Sequence, residues 1–265
     1  MKQKVIRIIA AISGHQKETA AILALAIIFA VPWLINNPAV VGAAATEREL
    51  PIYCVERENK CVSLTFDAAW GAEDTQKLID ALGEYDVKAT FFVVGQWVDK
   101  YPEAVKALAE AGHEIMSHSD DHAHFNKLSE SEILENLQSC NKKIQALTGV
   151  QPALFRCPYG EYDDHVIRTV KSGGMIPIQW NVDSLDWQGL SAEEITKRVM
   201  SRVTPGSIVL FHNAAKHTPE ALLTVLRSLL KEGYEIMPVS KLLLKEDYTI
   251  DHTGMQRRAS KREAS

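Results

Sequence analysis

Seven short apolar runs recur along this chain, at Val62–Phe66, Thr90–Val94, Glu114–Met116, Ala153–Phe155, Met175–Gln179, Ser207–Phe211 and Tyr234–Pro238. Helical patterns lie between them. This alternation constrains the fold more than any other feature, because strands separated by helices pair in parallel and need those helices to cover the sheet. The helix ends are written in the sequence. Ser129 with Glu132 makes a capping box ahead of Ile133, with Gly149 at the far end, and Ser191 with Glu194 makes a second. Pro102 and Pro219 stand at first turns, and Gly112 and Gly233 follow the matching last turns. About seven β/α units predict an α/β fold, a distorted or incomplete (β/α) barrel of about seven parallel strands in a single domain. The expected domain covers 61–245. A linker and hairpin over 46–60 precede it, and 246–265, poor in apolar residues, reads as a disordered tail.

The first 45 residues differ from the rest. They hold Lys2, Lys4, Arg7 and Lys17 against Glu18 alone, so the remainder of a chain with net charge −5 is mildly acidic. No global basic field attracts nucleic acid, and none is expected as a partner. Ala20–Ile35 is a 16-residue apolar stretch inside an uncharged segment, with all four cations before it. A membrane crossing takes roughly 20 apolar residues, and the charge asymmetry leaves the amino terminus cytoplasmic. Two readings fit: a single-pass anchor with the body of the chain outside the cell membrane, or a signal peptide cleaved after Ala45 at Ala43-Ala44-Ala45. A buried core helix is the third alternative. Cys54 and Cys61 bracket a charged stretch that reads as a hairpin turn between two short strands, with a cross-strand disulfide left open. Cys140 lies on the stripe Ile133, Leu137, Ile144 and Leu147 and reads as core.

In α/β folds the carboxyl ends of the strands face the ligand site. Here those ends carry Asp67, His118, Arg156 and His212, while Asp183 and Asp186 follow the Met175–Gln179 run. Each has a plain alternative: Asp67 as a helix cap, Arg156 in a surface ion pair, His212 as a satisfied core histidine. Their convergence at one end is the stronger signal. His118 and His122 are four apart, which on a helical turn or in a tight loop points two imidazoles at one metal ion. The alternative is a solvated loop of surface histidines. Trp180 and Trp187 read equally as core or as walls for the C–H faces of a sugar.

At these residues the sequence resembles the polysaccharide deacetylase family, the NodB-homology carbohydrate esterases. The matching motifs, in order across about 61–242, are TFDAAW at Thr65–Trp70, HSDDH at His118–His122, RCPYG at Arg156–Gly160, DSLDW at Asp183–Trp187 and LFH at Leu210–His212. The resemblance implies removal of N-acetyl groups from an aminosugar polymer, with a divalent ion, zinc by expectation, on His118 and His122. It implies Asp67 as general base, Arg156 positioning it, and His212 as general acid. Asp186, with Asp183, supports the charged groups. Tyr159, Pro158, Trp187 and Leu210 form the substrate-binding set, Tyr159 through its backbone N–H. The chemistry is coherent: an ion polarises a poor electrophile, a carboxylate takes a proton from water, and an imidazolium gives one to the leaving amine.

One departure stands out. The family's first motif has two consecutive aspartates, the second a metal ligand, and here the second position is Ala68. Glu73, Asp74, Asp120 and Asp121 are the nearby carboxylates, and the sequence does not choose among them. The variant motif is similar to a sporulation-type branch that acts on cortex peptidoglycan. The expected substrate is therefore an N-acetylated glycan, with the membrane as the only other partner and no protein partner. Two other readings stay open: a catalytically impaired glycan-binding module, and a metal-dependent hydrolase of another amide or ester.

Overall fold

The computed structural model describes residues 48–259. The expected leader and membrane segment therefore lie outside the described residues. Among the described residues no helix is long and apolar enough to cross a membrane.

Eleven strands make one sheet. They are β1 (Cys54–Val55), β2 (Cys61–Ala68), β3 (Thr90–Val93), β4 (Glu114–Ser117), β5 (Leu154–Phe155), β6 (Ile176–Pro177), β7 (Val182–Asp183), β8 (Ser207–His212), β9 (Glu235–Ile236), β10 (Tyr248–Ile250) and β11 (Met255–Arg258). The helices are α1 (Thr75–Glu84), α2 (Gly95–Lys100), α3 (Pro102–Glu110), α4 (Glu130–Thr148), α5 (Asp164–Ser172), α6 (Ala192–Met200), α7 (Thr218–Lys231) and α8 (Val239–Leu242). The sheet order is β10-β11-β1-β8-β2-β3-β4-β5-β6, with β7 on β8 and β9 on β2. From β8 through β6 every pairing is parallel. A parallel bridge between Ile52 and Ile178 ties the β6 edge back to the segment entering β1, so the sheet curls round as a distorted barrel.

All seven expected strands are present, within a residue or two at each end. Both capping boxes form, at Ser129 and Ser191, and Gly149 is the left-handed cap of α4. Strand alternation then sorts the core. On β2, Leu64, Phe66 and Ala68 face the layer of helices, with Leu78, Phe91, Leu222 and Leu226. Ser63, Thr65 and Asp67 take the other face, on the inside of the barrel, where Phe92, Met116 and Ile208 pack. Cys140 is fully buried, as its stripe implies.

Two sequence expectations are corrected. Cys54 and Cys61 do not bracket a hairpin: β1 pairs antiparallel with β8 and parallel with β11, because β2 already has β8 and β3 on its two edges. Both cysteines are free thiols. Nor is 246–259 disordered. Residues 248–258 form the β10–β11 hairpin, which completes the sheet beyond β1. Buried Gln256 exchanges hydrogen bonds with the backbone of Leu244, at 2.8 and 2.9 Å. Asp251 accepts from Arg257 at 2.6 Å. Backbone pairing and polar side chains hold this hairpin, so apolar content did not mark it.

Candidate active site

The register of β2 against β8 sets Asp67 directly beside His212. Both sit at carboxyl ends, and both line a cavity of about 610 Å³ with His118, His122, Asp183 and Asp186. The strand-end convergence is therefore physical.

Asp67 is 6% exposed. Its Oδ1 accepts from Arg156 Nη1 at 2.7 Å, and its Oδ2 lies 3.6 Å from His118 Nε2. Burial alone raises a carboxyl group's pKa, but the Arg156 guanidinium, helped by His118 and His212, outweighs burial and holds Asp67 below the ordinary value. Arg156 is itself fully buried and does not line the cavity. It also donates to Thr65 Oγ1 at 2.9 Å and to the Gln179 carbonyl at 3.1 Å, and it lies 4.1 Å over the Phe92 ring. Its guanidinium thereby fixes where the Asp67 carboxylate sits. Trp180 lies 5.4 Å from the guanidinium as a second cover and also lines the cavity.

His212 is held as firmly. Its Nδ1 and its backbone N–H each contact one oxygen of Asp186, both at 2.8 Å, and Thr218 Oγ1 donates to that carboxylate at 2.6 Å. Burial works against the imidazolium, yet Asp186, then Asp67 and Asp183, carry the pKa of His212 above its ordinary value. Asp183 accepts from the Leu185 N–H at 2.9 Å and takes its place in the cavity wall.

The histidine pair occupies a tight loop and not a helical turn. Ser119 and His122 have φ of +72° and +59°, and the His122 N–H donates to Ser119 Oγ at 2.9 Å. Among the described residues seven non-glycine positions have positive φ. Five of them, Ser119, His122, Tyr159, Leu185 and Ala214, lie in the loops at this cavity. Such strain collects where side chains are held for function. The two rings are 5.0 Å apart. Burial lowers the pKa of His118, and lowers that of His122 to about 4, so both imidazoles are neutral. His118 Nδ1 donates to the Arg156 carbonyl at 2.8 Å, which leaves Nε2 with its lone pair free.

These are the donor types and protonation states that an imidazole-preferring divalent ion needs. A third protein donor is lacking: among the described residues no group of three His, Cys, Asp or Glu side chains is placed to hold a metal. Ala68 is buried in the helix-side apolar cluster. Asp120 pairs with Lys143 at 2.8 Å, Asp121 accepts from Asn136 at 2.7 Å, and Asp74 accepts from the Ala214 N–H at 2.8 Å. Neither these three nor Glu73 lines the cavity.

Within the expected substrate-binding set, Tyr159, Trp187 and Leu210 line the cavity. Pro158 does not. It is buried and opens the short turn that carries Tyr159, so its part is to shape that turn. Sequence reasoning missed Asn213. Its side chain bonds the loop after β2, and its N–H donates to the Asp67 carbonyl at 3.1 Å. Its place one residue past the end of β8 was the available signal.

Fold and site together define a (β/α)-barrel protein with an acid–base cleft at the carboxyl ends of its strands. Comparison with known proteins narrows this. The sequence profile of the polysaccharide deacetylase family matches residues 55–178. The peptidoglycan-N-acetylglucosamine deacetylase PgdA of Listeria monocytogenes is 37% identical over 186 residues, covering 70% of this chain and 39% of the relative. A peptidoglycan-N-acetylglucosamine deacetylase of Bacillus cereus is 34% identical over 194 residues, covering 71% and 91%. Among solved structures, a carbohydrate esterase family 4 pseudoenzyme of Bacillus anthracis superposes with a TM-score of 0.71 at 33% identity, covering 79% of this chain and 73% of that one. A mutant of that pseudoenzyme has restored enzymatic activity. The chain belongs to the polysaccharide deacetylase family, and it spans 39% of the length of the Listeria relative.

Proposed function

We propose that this protein is a metal-dependent N-deacetylase that removes acetyl groups from the N-acetylated aminosugars of peptidoglycan or a related cell-wall glycan. One observation carries the reading: Asp67 and His212 are neighbours on adjacent strands, each hydrogen-bonded to its own buried partner, Arg156 and Asp186. A glycan-binding wall has no use for a carboxylate and an imidazole each tied to an oppositely charged partner.

Oδ1 of Asp67 is held by Arg156, so Oδ2 takes the proton of the attacking water. The water oxygen bonds to the acetyl carbonyl carbon, and the negative charge gathers on the carbonyl oxygen. The backbone N–H of Tyr159 is the chain's donor to that oxygen, a contact of a kind worth about 3 kcal/mol. As the C–N bond breaks, His212 gives the proton on Nε2 to the amine nitrogen, since its Nδ1 is engaged by Asp186. Acetate and a free amine leave. Leu210 and Trp187 form the wall for the acetyl methyl. His118 and His122 would hold the divalent ion, with zinc the assignment that suits imidazole donors. When bound, such an ion polarises the acetamide carbonyl and acidifies a bound water.

The uncharged segment near the amino terminus supports an anchored or exported protein acting on cell wall outside the membrane. The TFDAAW motif supports a place in sporulation. A second reading, a glycan-binding member without turnover, is favoured by Ala68 and by the likeness to the Bacillus anthracis pseudoenzyme.

The test is acetate release by the full chain from chitooligosaccharide, from peptidoglycan and from acetyl esters. Acetate from the N-acetylated glycans is the expected result. Release from the esters alone would reassign the substrate. Glycan binding without acetate would select the second reading.

A further inference from the structure

Trp70 has no role so far, yet it is the most exposed large apolar residue described, at 63%, and it lines the cavity with Asp67 and His212. Its backbone is fixed with unusual care. Asn213 Nδ2 donates to the carbonyls of both Trp70 and Gly71 at 2.7 Å, and the Trp97 indole N–H donates to the Gly71 carbonyl as well. The Ala69 N–H donates to Asn213 Oδ1 at 3.3 Å. Gly71 has φ of +61°, and a Cβ there would meet the Ala214 Cβ at 2.7 Å, so the turn after the indole admits only glycine. The indole itself packs edge-on against His122, with ring centres 5.2 Å apart, and leaves the rest of its surface in water.

Keeping an indole exposed forgoes the stabilisation that burial gives a large apolar side chain. A loop that pins the backbone at several points while leaving the ring outside holds that ring for a ligand with a flat apolar face. Trp187, 61% exposed, presents a second such ring to the same cavity.

We propose that Trp70 is a substrate-binding residue: its exposed face stacks on the C–H face of a pyranose ring of the glycan whose acetamide enters beside Asp67. With two exposed indoles in the cavity, Trp70 and Trp187, an oligosaccharide binds more tightly than a single aminosugar. This assignment rests on the glycan reading above and names the side chain that selects polymer over monomer.

The experiment is a titration of the full chain with N-acetylglucosamine and with chitotetraose, followed by tryptophan emission, beside acetate-release kinetics. In the wild-type chain the tetramer quenches emission saturably at lower concentration than the monomer. Trp70→Ala weakens tetramer binding about tenfold and raises KM by the same factor with little change in kcat, while Trp70→Phe recovers part of the loss. Zinc content and circular dichroism of both variants stay at wild-type values, which separates a lost stacking face from a disturbed His122. Wild-type tetramer affinity in Trp70→Ala overturns the assignment, and so does a loss that falls on kcat alone. A chain that binds tetramer through Trp70 and releases no acetate leaves the assignment standing and removes the deacetylase reading. Acetate release with an unchanged KM in Trp70→Ala does the reverse. A wild-type chain that binds neither sugar overturns both.

Discussion

The two halves of the cavity are built to different standards. On one side Asp67 and His212 each have a dedicated partner, Arg156 and Asp186, and those partners are tied in turn to Thr65, Gln179 and Thr218. On the other side His118 and His122 stand with neutral rings and one orienting bond, to the Arg156 carbonyl, and no third donor joins them. The acid–base half tolerates little change, because each group is hydrogen-bonded to a buried partner of opposite charge. The histidine half depends on what it can recruit.

The largest expected effect falls on the first half. Asp67→Asn keeps an acceptor for Arg156 and removes the base, so acetate release should drop by about 10²–10⁴-fold. Circular dichroism should stay that of the folded chain, and near-normal release in this variant would break the comparison at its strongest point. His118→Ala should come next: zinc measured by elemental analysis should be lost, and activity with it, while Asp67 stays paired with Arg156. Arg156→Met leaves the Asp67 carboxylate buried without its counter-charge. Urea unfolding should show a cost of about 3–5 kcal/mol. Because Arg156 holds the Asp67 pKa down, its removal should also move the acid limb of the pH–rate profile to higher pH.

Smaller effects sharpen the contrast. His212 must be protonated to act as an acid, and Asp186 raises its pKa. Activity should therefore fall as pH rises through the His212 pKa, and Asp186→Asn should move that alkaline limb to lower pH. An unmoved limb would assign the proton donor elsewhere. Ala68→Asp puts a carboxylate into the helix-side apolar cluster. The metal-free variant should melt below the wild type, and added zinc should return part of the loss by drawing that carboxylate to the histidines. A zinc-independent Tm would mean that position 68 cannot serve the ion on this backbone.

Much of this was legible in the sequence. Alternating apolar runs and capping residues marked the strands and helices of the barrel, because both are local signals. Polar residues at strand ends marked the site, because parallel strands bring their carboxyl ends to one face. What escaped was non-local. The β10–β11 hairpin is held by backbone pairing and by Gln256, which no apolar pattern reveals. The neighbours of β1 depend on which edges of β2 remain open. Asn213 carries an ordinary amide whose work, joining two loops, exists only once β8 lies against β2. Pro158 sits inside a motif that reaches the cavity, yet it turns inward to shape the loop.

The proposed deacetylation depends on an ion held by His118 and His122, with no third protein donor among the described residues. The most direct measurement is acetate release from chitotetraose by the full chain as purified, after chelation, and after zinc is returned. Activity that chelation removes and zinc restores is the expected result. A rate that ignores chelation, or no acetate even with zinc in excess, would contradict it.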